Sequence, residues 1–183
     1  MLAGMVTLAL SAIGRDRPGI VAATTAVLLS HGANVEDSRM SILRGHFAMT
    51  LIVSMPDDGD RGAVADELDR VAADLGLEAL ALSPVEPLAD TAPEPTHVVT
   101  VYGVDHPGIV HHATQVLAEQ GVNITDLETR LAEEEGEPSL YALLIEVALP
   151  SDLDPANLGE ALSAAGAQES VEVSLRELDR HEL

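Results

Sequence analysis

The sequence predicts an α+β protein of two similar domains, each a four-stranded antiparallel sheet with two helices on one face. The main observation is an internal repeat. Residues 14–37 and 103–126 align at a constant offset of 89 residues and are identical at twelve positions. The two halves also show strand-type and helix-type patterns in the same order. A repeat of this length predicts two copies of one structural unit, and 183 residues suit two small domains.

Each half opens with a strand followed by a helix. The predicted strands are residues 6–13 and 97–104, and the predicted helices are residues 18–31 and 107–120. Helical spacing puts one set of residues on a single face of each helix: Ile20, Thr24, Val27 and Leu28, and then Ile109, Ala113, Val116 and Leu117. Gly32 and Gly121 follow these helices, where a left-handed glycine commonly ends a helix.

A hairpin follows in each half. The predicted strand pairs are 34–43 with 46–55, and 123–132 with 139–149. The second hairpin loop is five residues longer than the first and carries the acidic segment EEEGEP, residues 133–138. The spacing of the acidic residues in this segment matches no calcium-binding loop.

A second helix and a closing strand complete each half. Asp60 and the Asp154-Pro155 pair are typical helix starts. The inward positions are Val64, Leu68, Val71 and Leu75, and then Leu158, Leu162 and Ala165. The closing strands are predicted at residues 77–83 and 169–175. Both halves therefore follow the order βαββαβ, which is the ferredoxin-like plan.

The segment between the halves, PVEPLADTAPEP, is rich in proline and acidic residues and predicts a semi-rigid linker. The domain boundaries follow: a first domain at 1–83, the linker at 84–95 and a second domain at 96–183. We expect the two domains to pack into one unit and the tail at 178–183 to fray.

Composition excludes several classes of function. There are 9 Lys and Arg against 31 Asp and Glu, a net charge of −22, with no basic patch, so direct nucleic-acid binding is disfavoured. The absence of Cys excludes disulfides and thiolate metal sites and fits a cytoplasmic protein. No apolar run reaches the ~18 residues of a membrane span. The second half of the apolar start of the chain aligns with residues 96–104, so this start is expected to be a strand rather than a signal peptide.

The repeated motif Asp-x-Pro-Gly-Ile-Val lies where the first strand turns into the first helix. Asp16 or Arg17 is expected to cap this helix, and Pro18 fits its first turn. The N–H groups of Gly19, Ile20 and Val21 then have no acceptor within the helix. A helix start of this kind is suited to bind a carboxylate, and we expect the backbone at Gly19 and Gly108 to accept a side chain.

Polar residues at the start of the following strand supply acceptors for an amino group. They are Asn34 and Asp37 in the first copy and Asn123 and Asp126 in the second. These residues belong near the far end of their own helix, so they approach a Pro-Gly loop best across an interface with another copy. A purely structural interpretation, with helix starts, helix stops and turn residues, stays open beside the ligand-binding one.

The βαββαβ order together with Asp-x-Pro-Gly-Ile-Val and Gly-x-Asn-[Val/Ile]-x-Asp resembles the ACT domain. The resemblance covers nearly the whole chain, and the tandem arrangement is similar to the glycine cleavage system transcriptional repressor group. It implies domains paired side by side, with small ligands, usually amino acids, bound at the interface. The ligand-binding residues expected from the motif and the resemblance are Asp16, Arg17, Pro18, Gly19, Ile20, Asn34 and Asp37, and Asp105, His106, Pro107, Gly108, Ile109, Asn123 and Asp126.

The two copies differ around this motif. The first has Arg15 and Arg17 where the second has Val104 and His106, so the first loop is the more cationic and favours a ligand with an extra acidic group. The first helix has Ala22-Ala23 where the second has His111-His112. Adjacent helical histidines point ~100° apart, so no metal site is expected.

No phosphate loop, nucleophile motif or metal-dependent catalytic motif is present, so we expect neither enzyme activity nor a cofactor. Two hypotheses remain. The first is an amino-acid sensor that acts through a transcription regulator or a metabolic enzyme. The second is an interaction adaptor that needs no ligand. Exposed sheet edges would also allow a homo-oligomer.

Overall fold

The computed structural model describes residues 4–86, 93–132 and 138–178. The chain divides into two compact units, Met1–Ala89 and Asp90–Leu183. Half of the predicted linker (87–92), most of the acidic EEEGEP loop (133–137) and the last five residues of the predicted tail lie outside the described residues.

Each unit has the predicted βαββαβ order. Unit 1 consists of β1 (Met5–Arg15), α1 (Ile20–Ser30), β2 (Asn34–Leu43), β3 (His46–Pro56), α2 (Arg61–Leu75) and β4 (Leu77–Pro84). Unit 2 consists of β5 (His97–Val104), α3 (Ile109–Glu119), β6 (Asn123–Ala132), β7 (Leu140–Ala148), α4 (Pro155–Gln168) and β8 (Glu172–Glu177). The sheets are antiparallel, in the orders β2-β3-β1-β4 and β6-β7-β5-β8. The predicted fold class is confirmed.

One hydrophobic core fills each unit, between one sheet face and the two helices. Alternate residues of the central strands point toward the helices, as the period of two in a strand requires. Unit 1 buries, among others, Leu10, Leu51, Ile20, Leu28 and Leu68, and unit 2 buries Val99, Ile145, Ile109, Leu117 and Leu162. Each fully buried Leu or Ile contributes roughly 1.5–3 kcal/mol through apolar burial.

The second helices begin as predicted. Asp60 Oδ1 accepts a hydrogen bond from the Ala63 N–H at 3.0 Å, and Asp154 Oδ1 accepts one from the Ala156 N–H at 3.0 Å. Each carboxylate therefore satisfies a backbone donor that has no partner within the helix.

The first helices begin two residues later than predicted, at Ile20 and Ile109. The expected cap by Asp16 or Arg17 is wrong, because α1 has Gly19 as its N-cap and no side-chain cap hydrogen bond. Gly19 has φ 101°, and Gly108 has φ 112°. The chain turns through this left-handed conformation before the helix starts, which places Pro18 in the turn rather than in the first helical turn.

The end of α4 also departs from expectation. The closing strand β8 begins at Glu172 instead of residue 169, because α4 continues through Gln168 with Glu169 as its C-cap. Leu158 and Leu162 are buried as predicted, but the third buried residue of α4 is Gly166 rather than Ala165. A side-chain carbon at Gly166 would overlap the Val173 side chain, so only glycine lets helix and strand approach this closely.

Gly32 and Gly121 have φ 70° and 66°, which confirms the predicted left-handed residues after α1 and α3. Within residues 4–86, 93–132 and 138–178, no helix is long and apolar enough to cross a membrane.

Candidate ligand-binding loops

The loop before each first helix is anchored to the turn of the hairpin in the same unit. The Asp16 N–H donates to the Gly45 carbonyl at 2.9 Å, and the Asp105 N–H donates to the Ser139 carbonyl at 2.9 Å. The sheet therefore holds the two loops in equivalent positions, although the second hairpin loop is longer.

The free backbone donors lie one residue later than predicted. The first bond within α1 runs from the Ala23 N–H to the Gly19 carbonyl at 2.9 Å, so the N–H groups of Ile20, Val21 and Ala22 precede it. In α3 the His112 N–H donates to the Gly108 carbonyl at 3.0 Å, which leaves the equivalent donors at residues 109–111. Such donors, together with the helix dipole, favour an anion.

The isoleucines of the motif have buried side chains, which leaves only their backbone at the loop surface. The Ile20 side chain is 1% exposed and that of Ile109 is 3% exposed, and both pack in the cores. The glycines are needed for their left-handed φ, so the expectation that the backbone there accepts a side chain is wrong.

The strand residues lie apart from the loop of their own unit. Asn34 begins β2, whereas the loop at Asp16 contacts the turn beyond the other end of that strand. Ten strand residues span ~30 Å. The Asp37 carboxylate also accepts a hydrogen bond from the Ser38 N–H at 2.7 Å. Asn123 and Asp126 have the same placement on β6. Within one unit, therefore, these acceptors do not meet the helix start.

The loop of unit 1 is open. Gly19 is exposed, and a side-chain carbon built there would have no atom within 4 Å. The Arg17 guanidinium lies at the C-terminus of α2, where its Nη2 is 3.6 Å from a side-chain carbon built at Gly76. A cation is favourable there because carbonyl dipoles converge at a helix C-terminus.

In unit 2, His106 takes the place of Arg17 and reaches the C-terminus of α4. Its Nε2 lies 2.9 Å from the Glu169 carbonyl, and its Nδ1 lies 3.2 Å from the Pro107 carbonyl. Only a protonated imidazole donates from both nitrogens. The hydrogen bond to Pro107, followed by the one to Glu169, raises the pKa of His106 above its ordinary value.

His112 and Glu169 form a second contact in the same place. The His112 Nδ1 lies 2.9 Å from the Glu169 Oε1, and the Glu169 Oε2 lies 3.6 Å from the His106 Nδ1. The replacement of Ala23 by His112 between the copies was a sequence signal for this cluster. Glu169 carried none, because its distance from the loop closes only when α4 packs beside α3.

No group of three or more metal-ligating side chains occurs within the part of the chain that the structure describes. His106 and His112 each contact Glu169, but these three side chains do not form such a group.

Comparison with known proteins agrees with this architecture. The ACT domain family models match residues 7–80 and 97–164, one in each unit. The chain therefore belongs to the ACT domain family and contains two tandem copies.

Two curated relatives show how the similarity is distributed. The glycine cleavage system transcriptional repressor of Escherichia coli K12 is 31% identical over 163 residues, which cover 86% of this chain and 82% of that protein. A UPF0237 protein of Methanopyrus kandleri is 38% identical over 77 residues, 42% of this chain and 86% of that protein. The first relative matches the tandem, and the second is the length of a single unit.

Among solved structures, an unknown protein from Galdieria sulphuraria has a TM-score of 0.78 at 30% identity. The match covers 96% of this chain and 100% of that one.

Proposed function

We propose that this protein is an amino-acid sensor without enzyme activity, which binds a small ligand at an interface between ACT domains and acts through a protein partner. The observation that supports this most directly is the start of α1. Three backbone donors lie there beside Gly19, which is exposed and has open space in front of it. A ligand carboxylate would accept hydrogen bonds from these donors.

The amino group of the ligand needs acceptors from elsewhere. Asn34 and Asp37, or Asn123 and Asp126, are the repeated candidates, and their own unit keeps them away from its loop. We infer that a paired domain, in the same chain or in a second one, supplies them. Under this proposal the first domain spans residues 1–83, the linker 84–95 and the second domain 96–183.

Regulation is proposed to be indirect. The E. coli relative is described as a transcriptional repressor. The net charge of −22 here opposes binding to a phosphate backbone. We therefore propose that the protein acts through a partner, which is a transcription regulator or a metabolic enzyme. We expect no gel shift by the purified protein at physiological salt, and a sequence-specific shift would contradict this part of the proposal.

A thermal-shift screen of the twenty amino acids tests ligand binding. A ligand at 100 times its Kd stabilises the native state by ~2.7 kcal/mol, which is readily measured. We expect at least one amino acid to raise the melting temperature. No shift at millimolar concentration of any amino acid would contradict the sensor proposal.

A ligand-independent adaptor is the second candidate, and the β2 strand supports it. β2 is exposed along its whole length, and three of its large apolar residues, Met40, Ile42 and Leu43, are about half to two-thirds exposed. An edge strand with apolar side chains is suited to pairing with another chain. If no amino acid raises the melting temperature and a protein partner forms a stable complex through β2, the adaptor is favoured.

A further inference from the structure

The sheet of unit 2 has an exposed apolar face on the side away from its helices. Alternation along β5 and β7 determines this face, because Val101 and Leu143 point into the core. The large residues that point outward are 39–51% exposed: Tyr102, Val104, Leu140 and Leu144. An exposed apolar patch on a sheet is typical of an interaction surface.

The strand register arranges the outward residues in rows across the sheet, in the strand order β8-β5-β7-β6. One row contains, in that order, Glu172, Tyr102, Ala142 and Arg130. The next row contains Ser174, Thr100, Leu144 and Glu128. Side-chain hydrogen bonds join Thr100 to Ser174 and Arg130 to Glu128, which agrees with their position on one face.

Large and small side chains lie side by side in these rows. A depression of about 370 Å³ is lined by residues of both rows, among them Thr100, Tyr102, Ala142, Leu144 and Arg130. Tyr102 has the small Ala142 beside it on the next strand, and Leu144 has the smaller Thr100 beside it. The face therefore carries both protruding side chains and the space that could receive them.

We propose that this face binds the same face of a second copy of the chain, about a two-fold axis parallel to the strands and midway between β5 and β7. Such an axis leaves each row opposite itself and reverses its order. Tyr102 then lies over the partner's Ala142, and Leu144 lies over the partner's Thr100. Packed sheets lie ~10 Å apart, so large side chains opposite small ones fill the space between them. A two-fold interface requires a surface that is complementary to itself in this way.

The charges on this face support a second copy as the occupant. Glu172 and Arg130 lie at opposite ends of one row, three strand spacings or ~14 Å apart, so they do not pair within one sheet. The two-fold axis brings Glu172 opposite the partner's Arg130, and Arg130 opposite the partner's Glu172. A further row repeats this pattern, with Arg176 on β8 and Asp126 on β6. Each of these rows therefore forms two pairs of opposite charge across the interface.

Unit 1 lacks this arrangement. Its equivalent row contains Ala79, Ile13, Ala48 and Ser41. These four residues carry no charge, and Ile13 takes the place of Tyr102. The outward face of unit 1 is therefore not complementary to itself, and its residues provide matched controls.

The first test is the mass of the full chain in solution, measured by sedimentation velocity over a range of micromolar concentrations. The proposed interface needs no ligand, so no amino acid is added. Physiological ionic strength gives a Debye length of ~8 Å, which screens the general repulsion between two chains of net charge −22. We expect a dimer. A monomer at every concentration would overturn the inference.

The second test fills the depression. Ala142→Arg should abolish the dimer, because the new side chain occupies the space that receives the partner's Tyr102. The matched control is Ala48→Arg, at the equivalent position of unit 1, which should dimerise like the wild type. A dimer that persists in Ala142→Arg would show that the copies meet elsewhere, such as at β2, and would overturn the inference. Loss of the dimer in the control would overturn it as well.

An exchange of charges tests the two-fold arrangement without adding bulk. Glu172→Arg and Arg130→Glu should each weaken the dimer by about tenfold or more, because like charges then face each other on both sides of the axis. The double variant restores opposite charges and should recover most of the lost affinity. A double variant that dimerises as weakly as the single variants would contradict the proposed pairing.

Discussion

The starts of α1 and α3 have the same backbone and different surroundings. Both follow a left-handed glycine, and both lack a side-chain cap. The α1 start is open, whereas the α3 start has His106, His112 and Glu169 beside it. The two copies thus share a backbone geometry and differ in the side chains around it. The same sequence motif therefore does not guarantee the same surroundings for a ligand.

The same comparison applies to the residue before the proline. Arg17 and His106 both reach the C-terminus of the second helix in their unit. Arginine is charged at all physiological pH values, whereas histidine titrates near neutrality. The charge at the Arg17 contact is therefore independent of pH, whereas the charge at the His106 contact depends on pH.

The largest effect is expected where the units are alike. Leu28 is 2% exposed and Leu117 is 0% exposed, and they occupy equivalent positions in α1 and α3. Leu28→Ala and Leu117→Ala should each lower the free energy of unfolding by ~2–5 kcal/mol through the cavity left behind. Urea denaturation measures this loss. A loss below ~1 kcal/mol in either variant would contradict equivalent cores.

The next largest effect concerns the amino group of the ligand. If Asn123 of a paired unit 2 binds it, Asn123→Ala should weaken binding by ~1.5–3 kcal/mol, the value of one hydrogen bond to a charged group, while Asn34→Ala changes little. If a second copy of unit 1 supplies the acceptor, the two results are reversed. Calorimetry with the amino acid found in the screen measures both. Unchanged affinity in both variants would contradict binding by these residues.

A smaller effect is expected from the two left-handed glycines. Gly19→Ala and Gly108→Ala should each destabilise the protein by roughly 1–2 kcal/mol, because φ values of 101° and 112° are strained for any other residue. The loss should be greater at Gly108, where the new methyl group lies 3.3 Å from the His112 ring. Thermal unfolding of both variants measures the difference. A smaller loss at Gly108 than at Gly19 would contradict the crowding of the second loop.

The smallest effect is the pH dependence of unit 2. The pKa of His106 is raised in the folded protein, so its contribution to stability is fully present below the unfolded value of ~6.5 and is lost as the pH rises through the folded value. An NMR titration of the His106 ring should show the raised pKa.

The matched variant for this effect is His106→Arg, which copies Arg17. It should retain the contact with α4 and remove this part of the pH dependence. A stability profile of His106→Arg that falls with pH as steeply as that of the wild type would contradict a role for His106 protonation.

Much of the fold was readable in the sequence, because it depends on periodicity and local chemistry. The inward set Ile20, Thr24, Val27 and Leu28 is buried as its spacing predicted. Asp60 and Asp154 cap their helices, and Gly32 and Gly121 follow theirs in the left-handed conformation. These features depend on residues a few positions apart, so a linear pattern is enough to specify them.

The positions of the helix starts and the contents of the second loop were decided only by the tertiary structure. The sequence shows that Gly19 and Gly108 repeat, but their positive φ follows from the way the loop joins the sheet to the helix. The contact between His112 and Glu169 joins residues 57 positions apart, and it exists because α4 packs beside α3 and ends next to the loop. A contact between distant residues depends on how the helices pack, and no local pattern in the sequence encodes that packing.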